Sequence, residues 1–163
     1  MRIPPAVLVL LPAAGLWALP AAAAVTVTFA EPDRFTDTED SSRTSKSTLR
    51  EIERHLKQLG DRYLPPQETL RIEILDVDLA GRSRMTGRTT TDLRVLNGKA
   101  DWPRIKVRYT LESGGSVSAP TEETITDMDY LRRPDPRYSD GLPYEKRMLD
   151  EWFRARFNPR QRE

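Results

Sequence analysis

The stretch LRIEILDVDLAG, residues 70–81, ends in two carboxylates two positions apart, Asp76 and Asp78. Side chains alternate along a strand, so this pair points to one side, about 6.6 Å apart. Two carboxylates so placed can hold a hard divalent cation, or act together as general acid and base. The same spacing fits a plainer role, in which each accepts backbone N–H bonds at a strand end or pairs with Arg82, Arg84 or Arg94. No EF-hand loop, with its glycine and terminal glutamate, surrounds them. The structural role is the stronger expectation. Ion binding or hydrolysis through Asp76 and Asp78, extended by Asp92, Asp127 or Asp129, is the alternative.

The next candidate is GRSRMTGRTTTDLRVLNGK, residues 81–99, with Arg82, Arg84, Arg88, Arg94 and Lys99 against Asp92 alone. Guanidinium forks match phosphate and carboxylate groups, so the segment suits an anionic component of the cell envelope. It lacks the G-x-x-x-x-G-K spacing of a phosphate-binding loop. Arg94 is expected to anchor a ligand or to pair with Asp76 or Asp78. Trp102, before Pro103, is expected to fix the start of a strand, with stacking on a ligand as its functional alternative. His55 is the only histidine, beside the apolar seam of a helix, and is expected to be half-exposed. One imidazole falls short of the usual zinc sets, and no nucleophile-elbow motif supplies a partner for a triad. No cofactor fingerprint is present. The expected site is therefore a binding rim of Asp76, Asp78, Arg82, Arg84, Arg94 and Trp102, with no catalytic residue, metal or cofactor assigned.

The elements that must position this rim follow from periodicity. VTVTF (25–29) alternates and is β-rich, so it reads as a strand. Leu49, Ile52, Leu56, Leu59 and Tyr63 recur at three- and four-residue spacings, one face of an amphipathic helix. Thr48 and Glu51 form a possible capping box, and Pro65-Pro66 ends the helix. Leu70, Ile72 and Ile74 share one strand face, yet after Leu75 the pattern inverts. Strict alternation then requires a bulge, or a strand end that leaves the core. Residues 80–101 make a long connection, with a short strand at Leu93–Leu96. RIKVRYTLES (104–113) is a clear strand, and Ser113-Gly114-Gly115 turns into another. A two-residue loop would place Leu111 opposite Ser118; a three-residue loop, the preferred reading, pairs Leu111 with Val117 and Tyr109 with Ala119. Pro120 marks an edge or a bulge. A closing helix spans about Pro143 to Phe157, with Tyr144, Met148, Leu149, Trp152, Phe153 and Phe157 as its apolar stripe. The order β-α-β-β-β-α predicts an α+β two-layer sandwich. A mixed sheet of about four strands carries both helices on one face, and the first β-α-β unit is parallel.

Ahead of these elements, residues 1–24 carry Arg2, an apolar run from Ala6 to Leu19, and Ala22-Ala23-Ala24. That is the pattern of a secretory signal peptide, cleaved after Ala24, and the run is too short and interrupted to span a bilayer. A periplasmic or secreted protein is expected, with no transmembrane span after cleavage. The remaining 139 residues fit one domain, 25–163. The absence of cysteine excludes disulfides, lipid attachment through a thioether, and thiol chemistry. Arg2 is the only charge in the leader, so 25 basic residues then face 25 acidic ones. Such neutrality argues against a nucleic-acid partner. The expected function is non-enzymatic binding or accessory work, with an unidentified envelope protein or anionic envelope component as partner.

In order, VTVTFAEPDRFTD (25–37), DVDLAG (76–81), DLRVL (92–96), WPRIKVRYTL (102–111), DMDYL (127–131) and LPYEKRMLDEWFRARF (142–157) resemble a known family. It is the bacterial family catalogued as domain of unknown function 3016. The resemblance runs through nearly the whole mature chain. It implies an export signal and one small domain, and brings no established activity with it.

Overall fold

The structure, a computed structural model, describes residues 23–37, 42–84, 93–98, 100–133, 135–138 and 141–158. The leader up to residue 22 lies outside them, as do Arg88, Asp92 and Lys99. Strand β1 (Ala24–Phe29), helix α1 (Ser42–Tyr63) and strand β2 (Thr69–Asp78) form the first β-α-β unit. β1 and β2 run parallel, in register from Ala24↔Thr69 to Phe29↔Ile74. α1 buries Ile52, Leu56 and Leu59 completely, with Leu49 and Tyr63 half-buried at its ends. Each fully buried side chain of this size contributes about 1.5–3 kcal/mol. The helix begins at Ser42, well before Thr48, so Thr48 and Glu51 are interior and make no capping box. No proline or glycine in residues 42–48 stops the helix from extending backwards. Where α1 crosses β1, a Cβ on Gly60 would overlap Val25 Cγ2, so glycine sets the distance between them.

β2 pairs antiparallel with β5 (Arg104–Ser113), the other long strand, and the inverted pattern resolves there. Pairing is regular from Thr69↔Glu112 to Ile74↔Val107, then shifts so that Asp76 faces Lys106 and Val77 faces Ile105. Leu75 is the extra residue of a β-bulge. Because it consumes one step of alternation, Ile74 and Val77 both enter the core, and Asp76 and Asp78 both leave it.

Beyond β5 the chain turns through Gly114 and Gly115, both with positive φ, so the loop has two residues rather than three. Ser113 pairs with Ser116 and Glu112 with Val117, which forms β6 (Ser116–Val117). Ser118 N donates to Leu111 O at 2.8 Å, so Leu111 lies opposite Ser118. Two adjacent glycines supply the two left-handed residues of a tight hairpin, which explains why the longer loop is not used. β7 (Thr121–Thr126) then pairs with Arg104–Tyr109 of β5, with Tyr109 opposite Thr121. Two residues lie between Ser118 and Thr121 against one between their partners on β5, so the chain bulges at Ala119-Pro120.

The main sheet thus runs β1-β2-β5, with β6 and β7 in succession along the far side of β5. Between β2 and β5 the chain forms a separate hairpin, β3 (Arg82–Arg84) against β4 (Leu93–Val95). α2 (Pro143–Phe157) closes the fold beside α1 and buries Met148, Leu149, Trp152, Phe153 and Phe157. One core joins both helices to Val27, Ile72, Val107 and Ile125, so the helices share one face of the sheet. The opposite face is polar. Across it run ion pairs from Arg71 to Glu112 (3.2 Å), Arg108 to Glu73 (2.8 Å) and Glu122 (2.6 Å), and Lys106 to Glu122 (3.4 Å). The fold is α+β, with an open mixed sheet and two helices. Among the described residues no helix is long and apolar enough to cross a membrane.

Candidate functional site

The bulge at Leu75 brings Asp76 and Asp78 onto the open face but gives them different partners. Asp76 accepts hydrogen bonds from Thr36 N at 2.8 Å and Thr36 Oγ1 at 2.9 Å, tying the segment after β1 to β2. Asp78 is gripped by the guanidinium of Arg104, with Nε at 2.9 Å and Nη2 closer still. Arg104 in turn lies over the Trp102 ring, 5.9 Å from its centroid. Asp78, Arg104 and Trp102 therefore form one continuous stack beside the start of β5. Its arginine is Arg104, not Arg94.

Arg94 turns away from both aspartates. Its Nη2 and Nη1 (3.3 Å) reach the carboxylate of Glu145, which is wholly buried in the first turn of α2. Its Nε donates to Ala80 O, while Ala80 N donates to Glu145 Oε1 at 2.9 Å. Gly81 follows with φ of 77°, its N–H donating to Asp101 O at 3.1 Å, and a side chain there would strike Val95 O. The hairpin β3–β4 is thus rooted by a buried ion pair and by a glycine that permits close backbone approach. Arg82 and Arg84 sit on β3, opposite Val95 and Leu93. Their side chains lie outside the described residues. Asp37 sits close by and accepts the N–H of Leu79. Burial pushes its carboxyl above the ordinary value, the Leu79 N–H opposes that, and Asp78 adds to the rise.

Asp127 and Asp129 do not join this rim. Asp127 pairs with Arg147 in the interior, where Arg147 also donates to Tyr130 O at 3.2 Å. Asp129 is exposed, with Arg132 at 3.8 Å. Among the described residues, no three His, Asp or Glu side chains converge as a metal site would require. His55 is buried against α2, not half-exposed, because α2 and the connection before it cover that side of α1. Its Nε2 lies 3.0 Å from Lys146 O, a group that can only accept, so the neutral ring carries its proton there. The Tyr138 ring meets the imidazole edge-on at 5.7 Å. Burial lowers the pKa of His55 below 6.5, against the Lys146 hydrogen bond that raises it.

Sequence reasoning missed the buried charges of α2, namely Glu145, Arg147 and Asp150. One signal was available: Glu145 precedes Met148, Leu149 and Trp152 by three, four and seven residues, which puts it on the apolar stripe itself. It also missed Tyr130, fully buried, whose hydroxyl donates to Asp101 at 2.9 Å. Chemically, the rim offers a cation stacked on an aromatic ring beside a firmly rooted hairpin. Its aspartates are engaged by Thr36 and Arg104.

A dodecameric PelC structure from Paraburkholderia phytofirmans is similar over 87% of this chain and 92% of that one, at 12% identity and a TM-score of 0.35. So distant a likeness carries no argument about function. No curated protein is similar to the chain in sequence. The family model for proteins of unknown function called DUF3016 matches residues 23–155, from the start of β1 almost to the end of α2. The chain belongs to the DUF3016 family.

Proposed function

We propose that the protein is a non-enzymatic, exported binding protein of the bacterial envelope. On this reading the hairpin β3–β4 and the Trp102–Arg104–Asp78 stack take an anionic envelope component. The observation that carries it is the Arg94–Glu145 pair. A fully buried carboxylate is costly to desolvate, and here it is committed to holding the root of an arginine-bearing hairpin. Arg82, Arg84 and Arg88 would supply the contacts, and guanidinium groups suit phosphate and carboxylate acceptors.

The test is co-sedimentation of the exported chain with vesicles of phosphatidylglycerol and with neutral vesicles. Binding to the anionic vesicles, weakened about tenfold or more in an Arg82→Ala, Arg84→Ala, Arg88→Ala triple variant that melts normally, is the expected outcome. Equal binding by the triple variant, or none by the native chain, removes the hairpin from the function. Export itself is checked by sequencing the N-terminus of the protein recovered from the periplasm, which should begin at Val25.

A further inference from the structure

On the helical side of the molecule, a polar groove of about 530 Å³ runs between α1, the start of α2 and the connection before it. Its α1 wall is a stripe of Arg54, Gln58 and Arg62, four residues apart and therefore in line along the helix. Arg137 and Lys146 face that stripe, and His55 with Tyr138 lies between them. Part of this charge is already matched. Lys146 pairs with Glu51 at 2.6 Å and Arg137 with Asp135 at 2.6 Å, while Arg62 stands 3.9 Å from the buried Asp150. Arg54 has no hydrogen-bonding or ionic partner among the described residues. Among the described residues, Arg54 is thus unspent and Arg62 is only loosely held.

We propose that this groove binds a small ligand carrying two phosphate groups, held by the guanidinium groups of Arg54, Arg62 and Arg137. Arg54 and Arg62 are about 12 Å apart along the helix axis, a span that their long side chains can close onto a diphosphate. Planar guanidinium forks donate in pairs to phosphate oxygens, and Gln58 adds an amide donor midway. The lining is mostly polar, which fits a soluble ligand or a headgroup and offers little to an acyl chain. His55 lies at the floor and senses what fills the groove. It faces Glu51 and Arg62 on α1, Lys146 and Asp150 on α2, and Arg137 and Tyr138 on the connection. A bound dianion favours the imidazolium, so the ligand raises the protonation midpoint of His55, and affinity increases as pH falls through it.

Since His55 is the only histidine, its ring C–H proton is an unambiguous NMR probe. The exported chain is titrated with pyrophosphate and, separately, with glycerol 1-phosphate as a headgroup mimic. A saturable shift of the His55 signal is expected with pyrophosphate, together with an upward move of its protonation midpoint. An Arg54→Ala, Arg62→Ala variant should bind at least tenfold more weakly, and Lys57→Ala, elsewhere on α1, should bind as the native chain does. A stronger response to glycerol 1-phosphate than to pyrophosphate would overturn the two-phosphate ligand. No saturable shift with either compound, or an equal shift in the double arginine variant, overturns the proposal. Both arginines are exposed, so the variant is expected to fold, and its melting curve verifies that.

Discussion

Arg94 and Glu145 hold the peptide of Ala80 from both ends, one accepting its N–H and the other donating to its C=O. Fifty-one residues separate the two partners, so one contact ties the hairpin, the end of β2 and α2 together. Glu145→Leu strands the Arg94 guanidinium and the Ala80 N–H, and is expected to cost about 3 kcal/mol. The Arg94→Met, Glu145→Leu double variant should recover part of that loss, because it leaves no unpaired charge. Urea unfolding of the four proteins measures the coupling. Simple additivity would show that the pair holds nothing.

The bulge makes an unusual deletion tolerable. Without Leu75, Ile74 and Asp76 become neighbours, and the partners they already have on β5, Val107 and Lys106, are neighbours too. A chain lacking Leu75 is expected to fold cooperatively. Val77→Asp, which places an unpaired carboxylate in the core, should cost about 4 kcal/mol or more. If the deletion is the more damaging of the two, Leu75 has a packing role that outweighs register.

Gly60 and Val25 provide a second, purely steric coupling. Gly60→Ala drives a methyl into Val25 and is expected to destabilise by about 1–3 kcal/mol, although alanine is the better helix former. Val25→Ala in the same chain should make the Gly60 substitution nearly neutral. Thermal melts of the two singles and the double decide it.

His55 gives stability a defined dependence on pH. Its folded pKa is depressed by burial, so between that value and 6.5 the unfolded chain holds more protons than the folded one. Its stabilising contribution is complete above 6.5 and is lost as pH falls through that window. His55→Gln should therefore show a smaller drop in unfolding free energy between pH 7.5 and pH 5 than the native protein. Identical pH profiles would mean that the imidazole titrates as it does in the unfolded chain.

Alternation and helical spacing made most of the sheet and both helices legible in the sequence, because each strand needs only its own pattern to choose a face. The inversion after Leu75 required either a bulge or a strand end, and the pairing with β5 shows the bulge. The Gly-Gly hairpin was read with one residue too many in its loop: both loop lengths left plausible neighbours for Leu111, and the register of Glu112 with Val117 selects the shorter one. The rim was half legible. Asp78 and Trp102 do meet, but through Arg104, whose position on a strand gave it no special mark. Arg94 went to Glu145, since local spacing says nothing about which distant charge will be buried beside it. The groove along Arg54 and Arg62 was illegible for the same reason, as its far wall comes from Arg137 and Lys146, more than 70 residues downstream.

β1 has consequences for how the molecule opens. Among the described residues it is bonded to one neighbour, β2, whereas β2 and β5 are bonded on both flanks. Amide protons should accordingly exchange in a graded order, first along β1 and β7 and last in the β2–β5 pair. The N-terminal strand is then a latch rather than a foundation. The body of the domain can keep its shape while its first six strand residues peel away and return, so a segment pulled from the N-terminus would yield there before the core is lost.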